Sequence, residues 1–167
     1  MPASGRPMNY TTKVPVSQTV AECQSALAMA GASSVSVHFE DGQPTGLSFA
    51  LKTPHGVRSF MLPVNIDGVH VMLTALDKEG KLPAPGGGRG RGRDLYQSRD
   101  HAARVAWRVV KDWLEANLAL ISARMATIDE VMLPYLVVDD DGRTLWQAYR
   151  ERETAIELTA GQDARAR

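Results

Sequence analysis

The sequence predicts an α+β domain in the order helix, three-stranded antiparallel meander, then a long amphipathic helix packed across the sheet, with short C-terminal helices. Three observations carry this expectation. Apolar residues recur at helical spacing before position 31 and again after position 98, three runs between them alternate with period two, and turn-forming residues separate those runs. Of the 167 residues, 44% are hydrophobic and 23% charged, the balance of a chain that folds around one core.

Met1 to Lys13 are small, polar and interrupted by Pro and Gly, so residues 1–13 read as a flexible arm. Residues 14–158 read as one domain. In its first helix Val20, Cys23, Leu27 and Ala30 share a face, Ser17 is the N-cap and Gly31 the stop. Val35, Val37 and Phe39 then point inward against Ser36 and His38, a half-buried strand that ends at the turn Asp41-Gly42. Leu47, Phe49 and Leu51 repeat the alternation as far as Thr53-Pro54-His55-Gly56, a turn with Pro second and Gly fourth, and Val57 to Leu62 returns. A helix from Asp67 to Glu79 sets Val69, Met72, Leu73 and Leu76 on one stripe. Residues 80–94, rich in Gly and Arg with no apolar period, read as a flexible loop.

Ser98 to Met125 is the strongest element. At the helical angle per residue, Arg108, Lys111, Glu115 and Ser122 all fall within about 40° of Arg104. Val105, Val109, Val110, Trp113, Leu114, Ala116, Leu120 and Ile121 fill the opposite arc, with Trp113 at its centre and Trp107 nearer its edge. Asn117 lies inside that arc, so its amide should bond a neighbour rather than stay unpaired. Thr127 with Glu130, and Thr144 with Gln147, read as capping boxes of two short helices. Leu136-Val137-Val138 between them is extended and ends in the turn Asp139 to Gly142, and residues 159–167 read as a frayed tail.

Several function classes find no support in the residues. The lone Cys23 forms no internal disulfide, and the first ten residues lack the pattern of a secretion signal. No apolar run reaches membrane-spanning length, so the expectation is a soluble, cytoplasmic protein with no membrane partner. His38, His55, His70 and His101 are scattered, which argues against a metal and against any other cofactor. Asp139-Asp140-Asp141-Gly142 opens like a calcium loop but has Arg150 at the twelfth position. No nucleophile motif and no phosphate-binding Gly-Lys-Ser/Thr occurs, so no catalytic residue is proposed.

Four stretches stand out as motifs: Tyr10 to Val20, Thr53-Pro54-His55-Gly56 with Phe60-Met61-Leu62-Pro63, Arg104 to Ala116, and Met125 to Tyr135. In these the chain resembles a family of short, uncharacterised proteins encoded by phages, prophages and other mobile elements. These motifs cover most of the chain, and no activity is established for the family. The resemblance implies a mobile-element accessory protein, working in the host cytoplasm if phage-encoded, with the Gly/Arg tract as a local insertion.

Charge supplies the functional candidate. Net charge is zero, yet residues 78–111 carry nine bases against three acids, whereas residues 112–167 carry eleven acids against six bases. Arg89, Arg91 and Arg93 on a glycine-freed backbone, continued by Arg99, Arg104, Arg108 and Lys111, form a candidate strip for single-stranded nucleic acid, bound without base specificity. In order of elements only, the chain also resembles the core of phage single-strand annealing proteins. The alternative is a protein–protein interaction factor, acting by self-association or on a host or defence protein. Its motivation is the acidic last third and a long helix that exceeds what one small sheet covers.

Overall fold

The computed structural model describes residues 7–83 and 95–154. Its elements are α1 (Val16–Met29), β1 (Ser34–Glu40), β2 (Gln43–Thr53), β3 (Gly56–Pro63), α2 (Ile66–Lys78), α3 (Arg99–Ser122), α4 (Ile128–Met132) and a 3₁₀ turn, Leu133–Tyr135. A further helix, α5, covers residues 145–154. The α+β architecture expected from the sequence is the one observed. The sheet is antiparallel in the order β1-β2-β3, and α3 packs against it.

Each hairpin follows from its turn residues. Asp41 and Gly42 take φ of +49° and +75°, the paired left-handed backbone that matches the right-handed twist of the strands they join. Thr53 closes the second turn, donating from Oγ1 to the Gly56 carbonyl at 3.0 Å and accepting from the His55 N–H at 3.1 Å. Leu47, Phe49, Leu51, Phe60 and Leu62 are buried on the inner face. Paired serines and Ala50 line the outer face, as in Ser36 opposite Ser48 and Ala50 opposite Ser59.

One strand departs from simple alternation. A bulge shifts the register between His38 and Phe39, pairing His38 with Gly46 and Phe39 with Pro44. Phe39, expected inward, stands beside this bulge at the end of β1 and is 65% exposed. Thr45, passed over by β1, instead gives its carbonyl to the Val64 N–H at 2.8 Å. The adjacent Pro44 carbonyl accepts from the Trp107 indole N–H at 3.0 Å and ties α3 to the sheet.

That tie reverses the expected roles of the two tryptophans. Trp107 is wholly buried, and Trp113 is only part-buried, edge-on to Tyr135 with ring centroids 5.2 Å apart. The first half of α3, from His101 to Trp107, is buried nearly all round because α1 and α2 pack against α3 and Trp107 reaches the sheet. Beyond Leu114 no residue of α3 is buried, so Ala116 and Leu120, expected inside, lie in solvent, and Val109 is exposed as well. Asn117 does find a neighbour, donating to the Trp113 carbonyl at 2.7 Å.

The helix ends follow local rules with two departures from expectation. Pro15 rather than Ser17 precedes α1, without a side-chain cap. The long helix stops at Ser122 because Arg124 adopts a left-handed φ of +59°, its N–H bonding the Ile121 carbonyl. Both capping boxes form: Thr127 with Glu130, and Thr144 with Gln147.

Of the arm expected over 1–13, residues 7–13 are described and attach to α3. Asn9 donates to Asp112 at 2.7 Å, and the Tyr10 carbonyl accepts from His101 Nε2 at 2.8 Å. Of the loop expected over 80–94, only 80–83 are described, and the tail 159–167 lies outside the described residues.

Candidate functional site

Three of the seven candidate cations, Arg89, Arg91 and Arg93, lie outside the described residues. The other four lie on α3. Arg99, in its first turn, pairs with Asp67 of α2 at 2.5 Å. Arg108 and Lys111 face α1, where Glu22 meets them at 2.5 and 3.8 Å, and Lys111 also reaches Glu115, one turn on, at 2.7 Å. The packing is close enough that the side chains of Arg108 and Lys111 are only 19% and 12% exposed. Arg104 has no side-chain hydrogen bond or ion pair among the described residues.

Glu22 is the pivot of this cluster. Gln18 donates to one carboxylate oxygen at 3.0 Å and Arg108 to the other. These bonds, with the Lys111 charge, hold the Glu22 carboxyl below the usual carboxylate range. The expected wet strip of α3 thus exists as a helix face, but α1 covers much of it and supplies the counter-charge.

Cys23, His38, His70, His101 and Asp139 serve the fold. Burial pushes the Cys23 thiol up to about 11, so it is no thiolate nucleophile. His38 bonds the Ser48 hydroxyl at 2.8 Å, and His70 donates to the Gln97 carbonyl at 2.8 Å. His101 is buried against Tyr96 with Nε2 protonated toward Tyr10, and its Nδ1 has no partner among the described residues. Desolvation, with Arg104 nearby, holds its pKa below the ordinary histidine value, so the ring is neutral. Asp139 accepts the Arg143 N–H at 3.0 Å, which makes its segment a closed turn. Among the described residues no group of His, Cys, Asp or Glu is arranged to hold a metal, and no helix is long and apolar enough to cross a membrane.

A second locus comes from residues far apart in sequence. The buried Met132 and the ring of Tyr135 anchor the segment after α3, which then meets the outer edge of β3. There Leu136 bridges Phe60, and Val137 donates to the Ser59 carbonyl at 2.9 Å. In that register Val138 would face Arg58, but its N–H turns to the Arg143 carbonyl at 2.9 Å. The two segments diverge and leave a cleft of about 480 Å³.

Phe60, Leu136 and Val137 form its apolar lining, with the more exposed Leu133 and Val138 beside them. Its polar lining is His55, Arg58 and Asp129. None of those three side chains has a hydrogen bond or ion pair among the described residues. Sequence reasoning missed this site. The one available signal was the short extended run Leu136 to Val138, too short to make a sheet of its own and therefore in need of an existing edge. Compared with known protein families, with curated proteins and with solved structures, the chain matches none.

Proposed function

We propose that this chain is a non-catalytic accessory protein of a mobile element that acts by binding another protein. One observation carries the reading. Five large apolar side chains between positions 125 and 149 stand in solvent: Met125, Leu133, Val138, Trp146 and Tyr149, each at least 44% exposed. Trp146 and Tyr149 stack with ring centroids 5.8 Å apart, and paired exposed aromatics are typical anchors of protein interfaces. The pairing of α3 cations with Glu22, Glu115 and Asp67 supports the same choice, because those charges already have partners within the fold. The mobile-element setting is supported by the resemblance of the framework motifs to phage and prophage proteins.

The test places the photo-crosslinker benzoyl-phenylalanine at position 146 in expressing cells, alongside light scattering of the purified chain over a concentration series. A discrete adduct or a defined oligomer is expected. A monomer at every concentration with no adduct overturns the reading.

A second reading, binding of single-stranded nucleic acid, is favoured by Arg104, which has no ion pair among the described residues, together with the basic residues Arg89, Arg91 and Arg93. It requires oligonucleotide affinity that falls steeply with salt and is lost when those four arginines become alanine. Undetectable binding at low salt removes it.

A further inference from the structure

We propose that the cleft between β3 and residues 133–138 is a peptide-binding site for an extended segment that carries a carboxylate beside an apolar side chain, with Arg58 as its anchor. This rests on the protein-binding reading and names the chemistry of the partner.

The backbone supplies the first argument. Ser59 turns its carbonyl outward to Val137, so by the two-residue alternation of a strand Val57 turns its N–H and C=O to the same edge. The segment that would pair with Val57 has left: Val138 bonds Arg143, and the Asp139 carbonyl accepts from Gly142 at 3.2 Å. An extended peptide entering the wedge continues the ladder that Leu136 and Val137 begin, which is recognition by strand addition.

Charge and shape supply the second. Arg58 stands two residues from Phe60 on the same face of β3, so its guanidinium borders the apolar floor. A planar guanidinium with no partner in the described fold matches a carboxylate through two parallel hydrogen bonds. His55 lines the same space, and Leu133, Leu136 and Val137 offer apolar surface to a ligand side chain over the buried Phe60. The volume, about 480 Å³, is within the roughly 300–1,000 Å³ of ligand pockets, room for a short stretch of chain rather than a helix. Asp129 is the single acid of the lining and opposes an anionic ligand, which gives the proposal a gain-of-binding variant.

The experiment titrates the full-length ¹⁵N-labelled protein with N-acetyl-leucyl-phenylalanine and with its C-terminal amide, following backbone amide resonances. The acid is expected to shift Val57, Arg58 and Leu136 to Val138 saturably and to bind roughly tenfold more tightly than the amide, as a charged hydrogen bond implies. Arg58→Gln should erase that difference while leaving the rest of the spectrum in place, and Asp129→Asn should strengthen binding of the acid. Absence of shifts at millimolar peptide, equal binding of acid and amide, or shifts confined to other surfaces overturns the proposal. An adduct at position 146 with no peptide response defeats the cleft alone. Failure of the wider reading shows as a missing adduct together with a monomer at every concentration.

Discussion

The α1–α3 contact and the cleft beside β3 contain the same ingredients, cations next to carboxylates over apolar side chains, and use them in opposite ways. On α3 the charges are spent inside the fold: Glu22 gathers Arg108 and Lys111, and little of either side chain reaches water. In the cleft, Arg58 and Asp129 line one space, and neither has a partner among the described residues. A cation on a helix stripe is therefore not by that fact available to a ligand. What stands across from it decides, and only the tertiary arrangement supplies that.

This contrast is broken most sharply by damaging the closed side. Trp107→Ala removes a fully buried indole and its bond to Pro44, and should cost about 3–5 kcal/mol in urea unfolding. A smaller loss would mean that the enclosure of α3 is looser than its packing indicates. Gly46→Ala comes next. A Cβ there would sit 2.9 Å from the Leu62 carbonyl oxygen, a backbone atom that cannot swing aside, and the expected loss is roughly 1–3 kcal/mol by the same measurement.

Acid should then act on the closed side through His101. Its folded pKa is depressed, so the unfolded chain takes up the proton more readily. Its contribution is complete above the ordinary histidine value of 6.5 and is lost as pH falls from there through the lower folded value. Urea midpoints at pH 7.5 and 5.5 should differ in that direction, and His101→Gln should flatten this part of the profile. The smallest effect belongs to the open side: Leu133→Ser, at a position 48% exposed, should change stability by no more than about 0.5 kcal/mol while weakening peptide binding in the resonance titration. A large stability loss there would show the cleft to be part of the core.

The order of elements was legible because its signals are local. Asp41-Gly42 specifies a tight hairpin through backbone conformation, and Thr127 with Glu130 closes a helix end within four residues. Phe39 was misassigned because its partner strand carries a one-residue bulge at Thr45 beside the end of β1, and the signal for that break, Pro44 and Gly46, lies in β2 rather than in Val35-Ser36-Val37-His38-Phe39. Trp107 and Trp113 exchanged places because helical periodicity describes an average face. The real burial of α3 changes along its length, from enclosed at His101 to open beyond Leu114. The cleft was invisible for a related reason: it depends on Leu136 meeting Phe60, a pairing across 75 intervening residues.

The attachment of the opening residues has a practical corollary for anyone shortening the polypeptide. Cutting after Tyr10 would take from the imidazole of His101 the carbonyl that its Nε2 bonds and leave Asp112 without the amide of Asn9. Trimming from that end therefore reaches the heart of the molecule sooner than its small, polar composition suggests, and a shortened version should begin no later than Met8.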